Sequence, residues 1–123
     1  MKAEFPTGTR VRNSNAEPGQ ENWTMVVVDG TLRWLDDQTY AQLYLDDTGI
    51  EMLPTSEYEE GAKIDGAEIV RNPGTGNVYF LANGMRFKTK NSAIMDKLRF
   101  RWEGVREVTN DEIDPVPEGP EIR

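Results

Sequence analysis

The 123 residues include no cysteine and no histidine. Without thiols or imidazoles the chain can build no disulfide, zinc finger, iron–sulfur or haem site, and no nucleophile activated by histidine. Serine is scarce, limited to Ser14, Ser56 and Ser92, and none stands in a nucleophile-elbow setting. The longest apolar run, Val78 to Ala82, is five residues, against the ~20 that a membrane-spanning helix needs. Met1-Lys2-Ala3-Glu4-Phe5-Pro6 has no apolar segment of the kind a secretory signal carries, so synthesis in the cytoplasm and no membrane association are expected. The Asn22-Trp23-Thr24 sequon then carries no glycan. Cations are outnumbered, with 14 Lys and Arg facing 22 Asp and Glu for a formal charge of −8. That balance opposes general nucleic-acid binding, which needs clustered positive charge against phosphate.

What the sequence does contain is a repeat. Val11-Arg12-Asn13, Trp23 to Asp29-Gly30 and Leu32-Arg33-Trp34 are followed in the second half by Val70-Arg71-Asn72, Asn77 to Asn83-Gly84 and Met85-Arg86-Phe87. Further along, 39–44 aligns with 93–98, Leu53 to Tyr58 with Val108 to Ile113, and Glu60-Gly61-x-x-Ile64 with Glu118-Gly119-x-x-Ile122. Each half predicts a strand, a turn at Asp-Gly or Asn-Gly, and a second strand, because these dipeptides tolerate the positive φ that a type I′ turn requires. A two-residue loop sets Phe80 opposite Phe87 and Met25 opposite Trp34. Arg33 and Arg86 then fall one step out of register, which predicts an extra residue or bulge in one hairpin. A short helix follows in each half, capped by Asp36 or Asp37 and by Asn91 or Ser92, with apolar stripes at Tyr40, Leu43, Tyr44 and at Ile94, Met95, Leu98.

The expected fold is therefore α+β and β-rich, two tandem modules of β-hairpin plus short helix that share a core. The boundaries are an N-terminal arm at 1–7, a first module at 8–64 and a second at 65–122. The stretch from about 114, with Pro115, Pro117 and Pro120, reads as an extended C-terminal arm. At these periods the tryptophans read as core.

The pattern Val78-Tyr79-Phe80-Leu81-x-Asn83-Gly84-x-Arg86, then Leu98-Arg99-Phe100-x-Trp102, Val105-x-x-Val108 and Glu118-Gly119 resembles a short module of bacterial cell-surface and cell-wall-associated proteins and of phage proteins. The likeness covers about 66–122 well and 8–64 more weakly, because the first copy lacks the Phe-x-Trp piece. It implies attachment or assembly rather than a reaction, and transfers no catalytic residue.

No carboxylate pair has the spacing of acid–base catalysis, and Asn72-Pro73-Gly74-Thr75-Gly76 lacks the Lys-Ser/Thr of a phosphate loop. Asp46-Asp47-Thr48-Gly49-Ile50-Glu51 does not match a calcium loop and reads as a solvated turn. No enzyme activity, metal or cofactor is expected. The charge distribution carries more information. Residues 85–106 hold Arg86, Lys88, Lys90, Lys97, Arg99, Arg101 and Arg106 against Asp96 and Glu103. The equivalent 31–52 holds Arg33 against Asp36, Asp37, Asp46, Asp47 and Glu51. These two stretches are the candidate interaction faces, basic and acidic, meeting within the chain or between copies. The expected function is that of a structural or assembly protein of a phage particle, in the tail or as a capsid decoration, with other virion proteins and copies of itself as partners and the virion as its location. The alternative is a binding module for a bacterial surface polymer, which needs exposed aromatics. A third reading is an acidic phage inhibitor of a host nucleic-acid-binding protein, which the basic stretch opposes.

Overall fold

Asp29 and Gly30 take φ of 48° and 82°, and Asn83 and Gly84 take 51° and 79°, the left-handed pair that a type I′ turn demands. In this computed structural model, which describes residues 2–21 and 23–123, the two turns close hairpins of β2 (Thr24–Val28) with β3 (Thr31–Leu35), and of β6 (Val78–Ala82) with β7 (Met85–Lys88). Met1 and Asn22, the latter with its sequon, lie outside the described residues. Met25 faces Trp34 and Phe80 faces Phe87. Both loops hold two residues, so there is no extra residue or bulge of the kind the arginine offset predicted. Counting pairs from each turn instead makes Arg33 the counterpart of Phe87, and Arg86 that of Leu32.

Each hairpin gains two more strands. The first sheet has the order β3-β2-β1-β4 with β1 (Arg10–Asn13) and β4 (Glu51–Leu53), and the second has β7-β6-β5-β8 with β5 (Glu68–Arg71) and β8 (Arg106–Glu107). β1 and β5 pair antiparallel with their hairpins, while β4 and β8 add in parallel at the edge. A parallel addition requires a crossover, which the helices α1 (Asp37–Leu43) and α2 (Ser92–Lys97) supply. Asp36 caps α1 by accepting from the Thr39 N–H at 2.7 Å, whereas the α2 cap, Asn91, makes no side-chain bond. A last helical turn, α3 (Asn110–Ile113), closes the second module.

One face of each sheet enters a common core. Val26, Val28, Leu35, Leu43 and Tyr44 pack there with Ile69, Phe80, Phe87, Met95 and Phe100. The other faces carry separate small clusters, Val11, Met25, Val27 and Leu32 in the first module and Val70, Tyr79, Val108 and Ile113 in the second. An antiparallel bridge between Tyr44, directly after α1, and Phe100, three residues past α2, joins the modules. Leu45 N–H donates to Arg99 O at 2.9 Å and Arg101 N–H to Leu43 O at 2.7 Å. The rings of Tyr44 and Phe100 stack at 5.0 Å, and Phe100 continues to Phe80 at 5.4 Å. Tyr44 thus corresponds to Phe100 rather than to Leu98, as the sequence alignment had it. The second copy holds extra residues there, and Arg99 turns the chain with φ 62°.

The two expected arms are part of the packed structure. Ala3 is buried and donates its N–H to Gly30 O at 2.8 Å, with Phe5 against the first module's own cluster. At the other end Ile122 is 1% exposed and belongs to the common core. The reason is in the repeat. Ile64 N–H bonds Trp34 O, and Ile122 N–H bonds the equivalent Lys88 O. Glu60 and Glu118 bridge Leu32 and Arg86. Gly61 and Gly119 lie flat against Arg33 and Phe87, where a Cβ would collide. The prolines punctuate a segment that lines the edge of β7, as 59–64 lines the edge of β3.

Candidate functional site

The structure divides the candidate charged residues into those spent on the fold and those left at the surface. Arg99 grips Asp46 across the module junction with two bonds, Nη2 to Oδ2 at 2.6 Å and Nε to Oδ1 at 3.3 Å. So one basic–acidic contact is made within the chain. Arg101 donates to Ala41 O at 2.7 Å and pairs with Glu103. Arg106 pairs with Glu68 and Glu112. Arg86 lies on the outer face of the second sheet, with its guanidinium 5.3 Å from the Tyr79 ring and Asp114 and Glu118 beside it. Asp36 is the helix cap and has Lys63 at 3.6 Å. Asp47 accepts from the Tyr40 hydroxyl at 2.5 Å and lies 3.7 Å from Arg12. Among the described residues, Lys88, Lys90 and Lys97 make no ion pair, and neither do Asp37 and Glu51.

The acidic turn after α1 is organised by an internal cation. Arg10, 2% exposed, lies with its guanidinium 4.6 Å from the Tyr44 ring centre and 5.6 Å from that of Tyr40. It donates to the Tyr40 hydroxyl at 2.8 Å and to the backbone carbonyls of Asp46 and Thr48. Carbonyls that could face a hard cation face this guanidinium instead. No group of three or more acidic side chains is placed to hold a metal ion among the described residues. Sequence reading passed over Arg10. The missed signal is positional, because its counterpart is the core residue Ile69, which faces Phe80 as Arg10 faces Val26. Burial pushes the Tyr44 hydroxyl pKa up, and that hydroxyl donates to Gly8 O at 2.6 Å.

Bonds from Arg99, then from the Thr48 N–H, hold the Asp46 carboxyl below its ordinary 3.8. Asp36 is lowered first by the Thr39 N–H. A carboxyl lowered on folding adds stability above its unfolded value and loses it as pH falls through the folded one. The melting temperature is therefore expected to hold at neutral pH and to fall below about pH 4. Asp46→Asn should lower it at neutral pH and flatten the acid limb, and melts across pH measure both effects.

The tryptophans are not core. Trp23 is 52% exposed, Trp34 36% and Trp102 44%. Trp23 and Trp34 meet edge to face, 5.7 Å between centres and 82° between planes. Trp34 Nε1 donates to Glu60 at 2.7 Å. Asn13, Ala16, Gln20 and Met25 surround them and leave a cleft of only about 20 Å³, room for about one water. In a strand the side-chain alternation sets which face a residue takes, but not whether anything covers that face. Trp34 is on β3 and Trp23 just precedes β2, and neither is among the residues that Phe5 and Tyr58 cover on that face. Set against family models, curated proteins and solved structures, the chain matches none of them.

Proposed function

We propose that the protein is a non-enzymatic structural component of a phage particle, a tail part or capsid decoration, that works by contact with other virion proteins and with copies of itself. The phage setting is supported by the resemblance of the repeat. The contact role is supported by how the two edge strands differ. β8 carries Arg106 and Glu107 at its open edge. At the equivalent positions β4 carries Glu51 and Met52, and Met52 is 57% exposed. Charge on an edge strand discourages pairing with another chain, and apolar side chains invite it. The shared frame folds with Glu107 at that position in the second module, so the fold does not demand an exposed Met52 in the first. Lys88, Lys90 and Lys97 on one module and Asp37 and Glu51 on the other remain to steer a heterologous contact between copies, head to tail.

Mass spectrometry of purified particles tests the setting and should recover this chain in fixed stoichiometry. Sedimentation tests the contact. Exposed charges are screened over about 10 Å at 0.1 M salt, so association should weaken as salt rises. Lys88→Glu/Lys90→Glu/Lys97→Glu should weaken it further, without a change in melting temperature. A monomer at all salt concentrations overturns the self-assembly reading.

A further inference from the structure

The modules differ on the outer faces of their sheets, away from the common core. In the second, Val108 and Ile113 are 3% and 2% exposed and close the small cluster there. Their counterparts in the first, Leu53 and Tyr58, are only half-buried. With Phe5 they line an open pocket of about 490 Å³, and the exposed Lys2 and Glu4 stand at its rim. That volume is in the range of sites that take up a ligand or a large side chain. The Tyr58 hydroxyl makes no hydrogen bond among the described residues. Glu51 precedes Leu53 by two in β4, so strand alternation sets it on the pocket's side of the sheet. Among the described residues, neither Glu4 nor Glu51 has an ion-pair partner.

Of the large apolar side chains left in water among the described residues, Trp102 is the one in the second module. Its Nε1 makes one long bond, to Asp96 at 3.4 Å. That bond sets the indole beside the end of α2, where Lys97 is unpaired. Next to it, Gly104 lies against Gln42 O of α1, and α1 packs on the inner face of the first sheet through Leu43. The pocket opens on the outer face of that sheet, so the pocket and the indole of one chain do not meet.

We infer that the pocket receives Trp102 from a second copy of this chain. The inference rests on the self-assembly reading and gives that contact its anchor. The charges are complementary, with the free Lys97 beside the indole and the free Glu4 and Glu51 beside the pocket. Phe5 and Leu53 supply apolar walls, and the Tyr58 hydroxyl is free to accept the indole N–H. Lys2 at the rim is placed to lie over the ring as a cation–π partner. Tryptophan in a pocket is a common anchor of protein contacts. A side chain of the second module seated in a pocket of the first is a heterologous contact, and its repetition runs head to tail.

Sedimentation of the full chain at low salt is the test. Trp102→Ala and Glu4→Lys/Glu51→Lys should each weaken association by more than tenfold. The melting temperature should not change, since these side chains are exposed. An equimolar mixture of the two variants should form a pair and stop there, because one chain keeps its pocket and the other its indole. Lys97→Glu/Glu4→Lys/Glu51→Lys, which exchanges the charges, should recover association, and it gives the reading should Trp102→Ala melt lower. A parent chain that is monomeric at every salt concentration overturns the self-assembly reading and the anchor with it. A parent that associates regardless of Trp102→Ala and of the pocket charges, or a mixture that stays monomeric, overturns the anchor alone.

Discussion

Deletion of residues 115–123 is expected to unfold the second module and, through the common core, to destabilise the whole chain. Four backbone bonds between the segment and 86–90 go with it. They are Arg86 N–H to Pro117 O, Gly119 N–H to Arg86 O, Ile122 N–H to Lys88 O and Lys90 N–H to Ile122 O, all between 2.8 and 2.9 Å. Their loss turns β7 into an open edge and uncovers Phe87, which is fully buried. The Ile122 side chain leaves a hole beside the residues of both modules. Ile122→Ala alone should cost about 2–5 kcal/mol, a large part of the roughly 5–15 kcal/mol that separates a folded domain from its unfolded chain. For a chain of this size that is a fall in melting temperature on the order of 10 °C or more. Urea unfolding of the truncation and of Ile122→Ala measures both. A truncated chain that melts within a few degrees of the full one would return the segment to the status of an arm.

Arg10→Ile is expected to destabilise the chain as well, although it installs an apolar side chain like that of Ile69. In the second module that position needs no polar partner. In the first, the carbonyls of Asp46 and Thr48 and the Tyr40 hydroxyl have their donor in the guanidinium. Its removal takes the donor from half-buried acceptors, of which the Asp46 carbonyl keeps the Tyr40 hydroxyl within reach at 3.0 Å, and it frees the turn that carries Asp46 to Arg99. Leaving neutral acceptors of this kind without their donor costs about 1–3 kcal/mol. Arg10→Lys should recover only part of this, because an ammonium cannot reproduce the planar fork that meets two carbonyls and stacks on Tyr44. The denaturation midpoint should shift with little change in slope. An Arg10→Ile protein as stable as the parent would mean that water satisfies these acceptors and that the turn is not organised by the cation.

The hairpins were legible because their information is local. Asp29-Gly30 and Asn83-Gly84 determine the turn type, and the turn determines which residues face one another, including Phe80 with Phe87. The duplication was legible too, since blocks in the same order require only comparison of the chain with itself. β1 and β5 were visible as repeated triplets and not as strands, because four residues of mixed polarity have no period of their own. Their pairing comes from the neighbouring hairpin.

By itself, then, the sequence determined the α+β class, the tandem modules and the short helices, the first with its Asp36 cap, all set by φ/ψ preferences and side-chain period within a few residues. Only the tertiary structure decided that Ile122 is core, that Arg10 replaces an aliphatic residue, that Asp46 and Arg99 neutralise each other, and that three tryptophans reach solvent. The physical reason is common to all four. Burial and charge pairing depend on which distant segment covers a position. Trp34 and Phe87 both fit a strand, and one is in water while the other is in the core because of what the rest of the chain lays against them.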